Sequence, residues 1–420
     1  MSNSYKHNHY VPEWYQKRFL EVGKDKFYYL DLDPETIVNN GHAYKRRSLL
    51  RWAPSQCFAQ DDLYTTRLGE IENRDIEKFF FGQLDTLAPK AVHHFANFEF
   101  GGKSEKAFHN ILRYMSVQKL RTPKGLAWLR NVFNVAEHNT TLYYLQKWQN
   151  LFCATWTECV WQIADASKSS VKFIISDHPV VAYSRECFPN SKYCIGDNDP
   201  DIRYVSTHTY FPLSLEKILI LTNLSWVRDP YQNPLKVRPN PDMIRPSMFH
   251  FMGIQHERYL SEEEVMEINY ITKRRARRFI ASSKEEWLYP EHHLRSTNWR
   301  KLGDGYLLMP DPRHINAGGE IIIGYNDGTS EAFSEYGHRP WQRGYKDSRR
   351  NDREWKSMEK FKAEWSAMFG PSYRGVVYDH GPRGTRYKVG DKYHAKECEL
   401  DAQIFKQPGE RSRRRKLRRK

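Results

Sequence analysis

The apolar pattern of this chain changes period near residue 166, and that change limits the fold more than any other feature. Before it, apolar and aromatic residues recur at helical spacing. After it come short β-branched and aromatic runs broken by Pro, Asn and Asp. Helices are expected over about 69–85, 105–120 and 124–165. The last is long or broken, with aromatic residues from Trp128 to Trp161 distributed around it, and Thr122-Pro123 separates it from the helix before. A strand is expected at Lys26–Asp31, ahead of a loop-rich stretch over 33–66. Further strands are expected at Ser170–Ser176, Val180–Tyr183, and near 203–212 and 216–223. A helix is expected over 261–281, where Ser261 caps and Glu264 follows three residues on.

Residues 290–300 look like a linker. Beyond them, Asn326-Asp327-Gly328 marks a hairpin between 320–325 and 330–333. An amphipathic helix over 352–369 stops at Gly370-Pro371, and strands follow around 374–379 and 385–396. The expected fold is therefore mixed α+β. A mostly helical N-terminal domain with a small mixed sheet covers 1–290, its helical half about 1–165 and its sheet-containing half about 166–290. A small α+β basic extension covers 300–408, and residues 409–420 form a disordered basic tail.

Charge separates these parts. The 420 residues carry a net charge of +15; residues 291–420 hold 28 Lys and Arg against 18 Asp and Glu. Eight of those basic residues fall in the last ten, RSRRRKLRRK, which cannot pack because like charges repel. The matching partner is a polyanion, so nucleic acid (RNA or DNA) or the ribosome is expected to meet the basic C-terminal region. Aromatic content (12 Trp, 26 Tyr, 22 Phe) excludes a disordered chain. The six Cys, at 57, 153, 159, 187, 194 and 398, show no zinc spacing and read as reduced thiols. No signal peptide and no apolar run near 18 residues is present, so no membrane partner and a cytoplasmic location are expected. Phosphate-binding, dinucleotide, nucleophile-elbow and kinase motifs are absent.

Several short motifs hold residue types that do chemistry. His9 lies in His9-Tyr10-Val11-Pro12, an extended segment just before a helix, and imidazole is the common general acid or base. His7 points to the same side of an extended segment and can share a metal with it. Gln118 and Arg121 are three apart on a helix, where they can hold an anion or stabilise developing charge; the alternative is an internal salt bridge, Arg121 with Asp177. Asp177 ends an apolar run and can bind Mg²⁺ or Mn²⁺, orient His9 or act as base; the alternative is a turn before Pro179. Asn269, mid-helix, contacts substrate or bridges to a loop backbone. Lys273, Arg274 and Arg277 belong to a basic helical face that reads as solvated or as a nucleic-acid track.

The HYVP opening, Gln118-Lys119-Leu120-Arg121-Thr122-Pro123, Ile175-Ser176-Asp177-His178-Pro179-Val180, Phe211-Pro212-Leu213-Ser214 and Asn269 occur in this order. Together they resemble a bacterial domain-of-unknown-function family recognised by its HYVP motif, over residues about 5–285. The resemblance implies candidate positions and no reaction. It departs from the family pattern at His178, where Asn is more usual, and in the basic extension.

The expected function is a nucleic-acid-directed enzyme, most simply a phosphodiester-cleaving nuclease suited by analogy to bacterial defence against phage or to toxin-like conflict. His9, Asp177, Arg121 and Gln118 are its expected catalytic residues, Asp177 and His9 its metal ligands, and Tyr10, Asn269, Lys273, Arg274 and Arg277 its substrate contacts. The alternatives are a non-catalytic RNA-, DNA- or ribosome-binding protein and a transferase acting on a phosphorylated small molecule.

Overall fold

The computed structural model describes residues 6–39, 42–98, 104–194, 198–239, 254–303, 308–315, 320–370, 374–378 and 387–388. The architecture is mixed α and β. A seven-stranded sheet runs in the order Val181–Tyr183, His208–Pro212, Lys217–Asn223, Cys159–Asp165, Ile254–Tyr259, Val376–Tyr378, Tyr387–Lys388. Its neighbours are antiparallel except Ile254–Tyr259, which runs parallel to Cys159–Asp165. A second sheet of four antiparallel strands is ordered Ile175–Ser176, Phe279–Ser282, Phe27–Asp31, Leu49–Trp52.

The helices Gly82–Ala96 and Ser104–Arg121 share a core with the larger sheet, Phe95 and Phe108 packing on Trp161 with ring centroids 5.6 and 5.2 Å apart. The chain then turns sharply at Thr122, whose hydroxyl accepts from the Gly125 amide and caps the helix Pro123–Phe133. Gly125 is required there: a Cβ would stand 2.1 Å from the Lys119 carbonyl oxygen and 2.6 Å from that of Leu120.

The expected helix over 124–165 is divided. Asn134 takes a left-handed conformation and ends Pro123–Phe133, Glu137 caps His138–Lys147, and Cys153–Thr157 is a short turn. Cys159–Asp165 is then a strand at the middle of the larger sheet, buried at every position. A strand covered on both faces is apolar throughout and loses the alternation that distinguishes strand from helix. The expected helix over 69–85 also begins differently, as the hairpin Thr66–Leu68 and Ile71–Asn73 turning at Gly69 (φ +60°). A π-helical stretch Ile76–Phe81 leads from it into Gly82–Ala96.

The helix expected over 261–281 spans Glu262–Arg275, with Ser261 and Glu264 forming a reciprocal capping box. It stops early because the chain turns into the strand Phe279–Ser282. The hairpin Glu320–Gly324 with Ser330–Ser334 and the helix Ser348–Phe369 stand where the extension was expected to place them. Most of the expected strand at 385–396, Cys398 and the basic tail lie outside the described residues.

The extension does not pack apart from the rest. Val376–Tyr378 pairs with Ile254–Tyr259, and Met358, Phe361, Trp365 and Phe369 join the same apolar cluster as the N-terminal helices. The buried Arg374 guanidinium stands 3.1 Å from Glu264, and Arg228 pairs with Glu335. Trp299, inside the expected linker, is buried and donates to the Ser184 carbonyl at 2.8 Å.

Candidate functional site

His7–His9 pairs antiparallel with Ala59–Asp61, placing His7 opposite Asp61 and His9 opposite Ala59. Strand residues two apart share a face, so the imidazoles stand together, centroids 5.2 Å apart and planes at 89°. His7 Nδ1 lies 2.8 Å from Asp61 Oδ1 and donates to it. His9 Nε2 donates to the Ser55 carbonyl at 3.1 Å, since a carbonyl oxygen can only accept. This pair of bonds leaves His7 Nε2 and His9 Nδ1 as the remaining ring nitrogens. Pro12 starts the helix Glu13–Gln16, and its first residue brings Glu13 Oε1 to 3.9 Å from His9, while Lys17 sits 3.2 Å from the other oxygen. The His9 side chain is 19% exposed and that of His7 53%. Burial holds the His9 imidazole below its ordinary value, opposed by the Ser55 carbonyl and Glu13 and assisted by His7 and Arg121.

Behind this face lie Gln118 and Arg121, both buried on the Ser104–Arg121 helix. Gln118 Nε2 donates to the Tyr10 carbonyl at 2.8 Å, and Gln118 Oε1 accepts from Arg121 Nε at 2.8 Å. The Arg121 fork closes on Asp85, with contacts of 3.2 and 3.3 Å, and not on Asp177. Tyr64 donates its hydroxyl to the Arg121 carbonyl at 2.7 Å. Tyr10 is itself buried in the core. The Arg121–Asp85 pair spans 36 positions of sequence, and no local signal announces it. Glu77, in the π-helical stretch, went equally unnoticed in the sequence. Burial pushes its carboxyl up to about 7, with Arg121 opposing and Asp85 adding, and its Oε2 is buried without a hydrogen-bond partner among the described residues.

Asp177 is wholly internal. Its carboxylate accepts from the backbone amides of Arg277 (2.9 Å), Arg278 (2.6 Å) and Phe279 (2.9 Å), and so turns the chain out of the preceding helix. Burial raises its carboxyl, and the three amides pull the other way. Asn269 bridges two backbone groups, accepting from Ile174 and donating to the Lys172 carbonyl at 2.8 Å. Of the basic helical face, Lys273 is bound to the Leu288 carbonyl and Glu291, whereas Arg274 and Arg277 are exposed.

A second polar cluster joins the same two motifs. Lys119 and Lys124 each place Nζ 2.7 Å from one oxygen of the partly buried Asp199. His178 contacts Lys119 at 3.3 Å and Thr122 at 2.8 Å. Burial, then Lys119, holds the His178 ring down to about 3, so it is neutral. Every charged member of this cluster has a partner within it.

No group of three or more His, Cys, Asp or Glu side chains among the described residues is arranged to hold a metal. Among the described residues no helix is long and apolar enough to cross a membrane.

A family described as a protein of unknown function (DUF4238) matches residues 127–286. The matched span contains the Ile175–Val180 turn, Phe211–Ser214 and Asn269. It leaves the HYVP opening and the Gln118–Pro123 segment outside, so it is shorter than the 5–285 expected. No curated protein and no solved structure matches the chain.

Proposed function

We propose that this chain cleaves phosphodiester bonds in nucleic acid, with His9 as general base. The observation that carries this reading is the pair of imidazoles on His7–His9, each with one nitrogen fixed by an acceptor and the other left over. An imidazole oriented through one nitrogen is prepared for proton transfer through the other. The net charge of +15 suits a polyanionic substrate. Arg121 and Gln118 serve from behind, holding the Tyr10 backbone next to His9 through Gln118. Asp177 acts on the fold in this reading, because its buried carboxylate accepts from three backbone amides.

A second reading, binding without cleavage, is favoured by the internal engagement of Arg121, Gln118, Asp177 and Asn269. Incubation of the purified chain with labelled RNA, single-stranded DNA and duplex DNA, with divalent ions and with chelator, separates the two. Cleavage by the native chain, slowed on the order of 10²–10⁴-fold in His9→Ala with unchanged melting temperature, is the expected result. Mobility shifts that vanish at high salt, with every substrate intact, would replace it with the binding reading.

A further inference from the structure

We propose that the substrate of the His7/His9 face is RNA and that its own ribose 2′-hydroxyl is the nucleophile. This rests on reading the face as a phosphodiester-cleaving site. The two imidazoles are set up differently. His9 is the more enclosed, and its Nε2 hydrogen is committed to the Ser55 carbonyl, so Nδ1 is the nitrogen that can receive a proton. His7 is the more open, and its Nδ1 hydrogen is committed to Asp61, so Nε2 is the nitrogen that can deliver one. One base and one acid, with rings 5.2 Å apart on one strand face, can serve the two oxygens on either side of a single phosphorus.

The step balances without a co-reactant. His9 Nδ1 takes the proton of the 2′-hydroxyl as O2′ attacks phosphorus. The O2′–P bond forms, the P–O5′ bond breaks, and His7 Nε2 gives its proton to the departing O5′. The products are a 2′,3′-cyclic phosphate and a free 5′-hydroxyl, and exchange with water resets both rings. DNA lacks the nucleophile. Asp61 touches no reacting atom here; it is a positioning residue acting through His7.

The test uses the full chain with an RNA oligonucleotide, the DNA of the same sequence and the fully 2′-O-methylated RNA, each in excess EDTA and, in parallel, with Mg²⁺, with ends identified by mass spectrometry. The expected result is RNA cut to 2′,3′-cyclic phosphate ends and both analogues intact. His7→Ala and His9→Ala should each slow cleavage on the order of 10²–10⁴-fold. His7 is exposed, so its variant remains informative if His9→Ala fails to fold. Asp61→Asn should lower kcat with KM retained and displace the pH profile, which a merely structural contact would not do. Cleavage of either analogue, dependence on a divalent ion, or 5′-phosphate ends would overturn the 2′-hydroxyl route and leave a nuclease. No cleavage of any substrate under any condition would overturn the underlying reading as well.

Discussion

His9 illustrates how neighbours decide what a residue can do. Its imidazole is held below the ordinary value of 6.5 by burial, with Ser55 and Glu13 raising it and His7 and Arg121 lowering it further. A base with a depressed value is neutral, and hence competent, over a wider acidic range. The acidic limb of a kcat/KM–pH profile should therefore have its midpoint below 6.5; a midpoint above it would exclude His9 as that base. Asp177 shows the opposite case. Asp177→Ala leaves three inward amides without an acceptor, each costing about 1–3 kcal/mol when buried. A denaturant midpoint that falls without loss of slope is the expected outcome, and an unchanged midpoint would return Asp177 to the candidates for chemistry. Gly125→Ala places a methyl group 2.1 Å from a backbone oxygen and should cost about 1–3 kcal/mol or more, measured the same way.

At the scale of elements, local signals were legible wherever local chemistry acts. Ser261 and Glu264 cap their helix as the spacing announced, and Asn326-Asp327-Gly328 makes its hairpin. Ser261→Ala should cost about 1 kcal/mol of unfolding free energy; no change in chemical denaturation would mean that the cap contributes nothing. The misread elements share one cause. Cys159–Asp165 looked like the end of a helix because a central strand covered on both faces carries an apolar run without period. Residues 276–281 looked like more helix because their apolar spacing continues, while the force that turns them into a strand comes from Asp177, about 100 positions earlier.

Across the whole molecule, the extension and the first 290 residues hold one another's charges. Arg374 stands against Glu264 and Arg228 against Glu335, all four buried. Removing residues 300–420 takes Arg374 from Glu264, which keeps Arg258, and takes Glu335 from Arg228. With Met358, Phe361, Trp365 and Phe369 also lost from the shared core, residues 1–299 alone should unfold at a markedly lower temperature than the full chain; equal melting temperatures would show that these contacts contribute nothing. Two buried histidines add a pH dependence. Burial, first of all, holds His178 and His208 down to about 3, against 6.5 in the unfolded chain. Below 6.5 the unfolded chain takes up protons that the fold refuses. Stability should therefore fall by about 1.4 kcal/mol per pH unit for each histidine as pH drops from 6.5 towards 3. A stability constant across that window would contradict their burial as neutral rings.

By itself the sequence determined the mixture of helix and strand, the caps and turns, the excess of positive charge, and the positions of His9, Gln118, Arg121, Asp177 and Asn269 as polar residues in structured surroundings. These follow from contacts within a few residues, which periodicity and turn chemistry record. Only the tertiary structure decided what each of them faces. Asp61 reaches His7 across 54 positions, and Asp85 takes Arg121 where Asp177 had been expected. The strand of the extension enters a sheet begun more than two hundred residues earlier. The physical reason is that a buried charge or an uncovered strand edge must find a partner, and the partner is chosen by packing in three dimensions, which no spacing along the chain encodes.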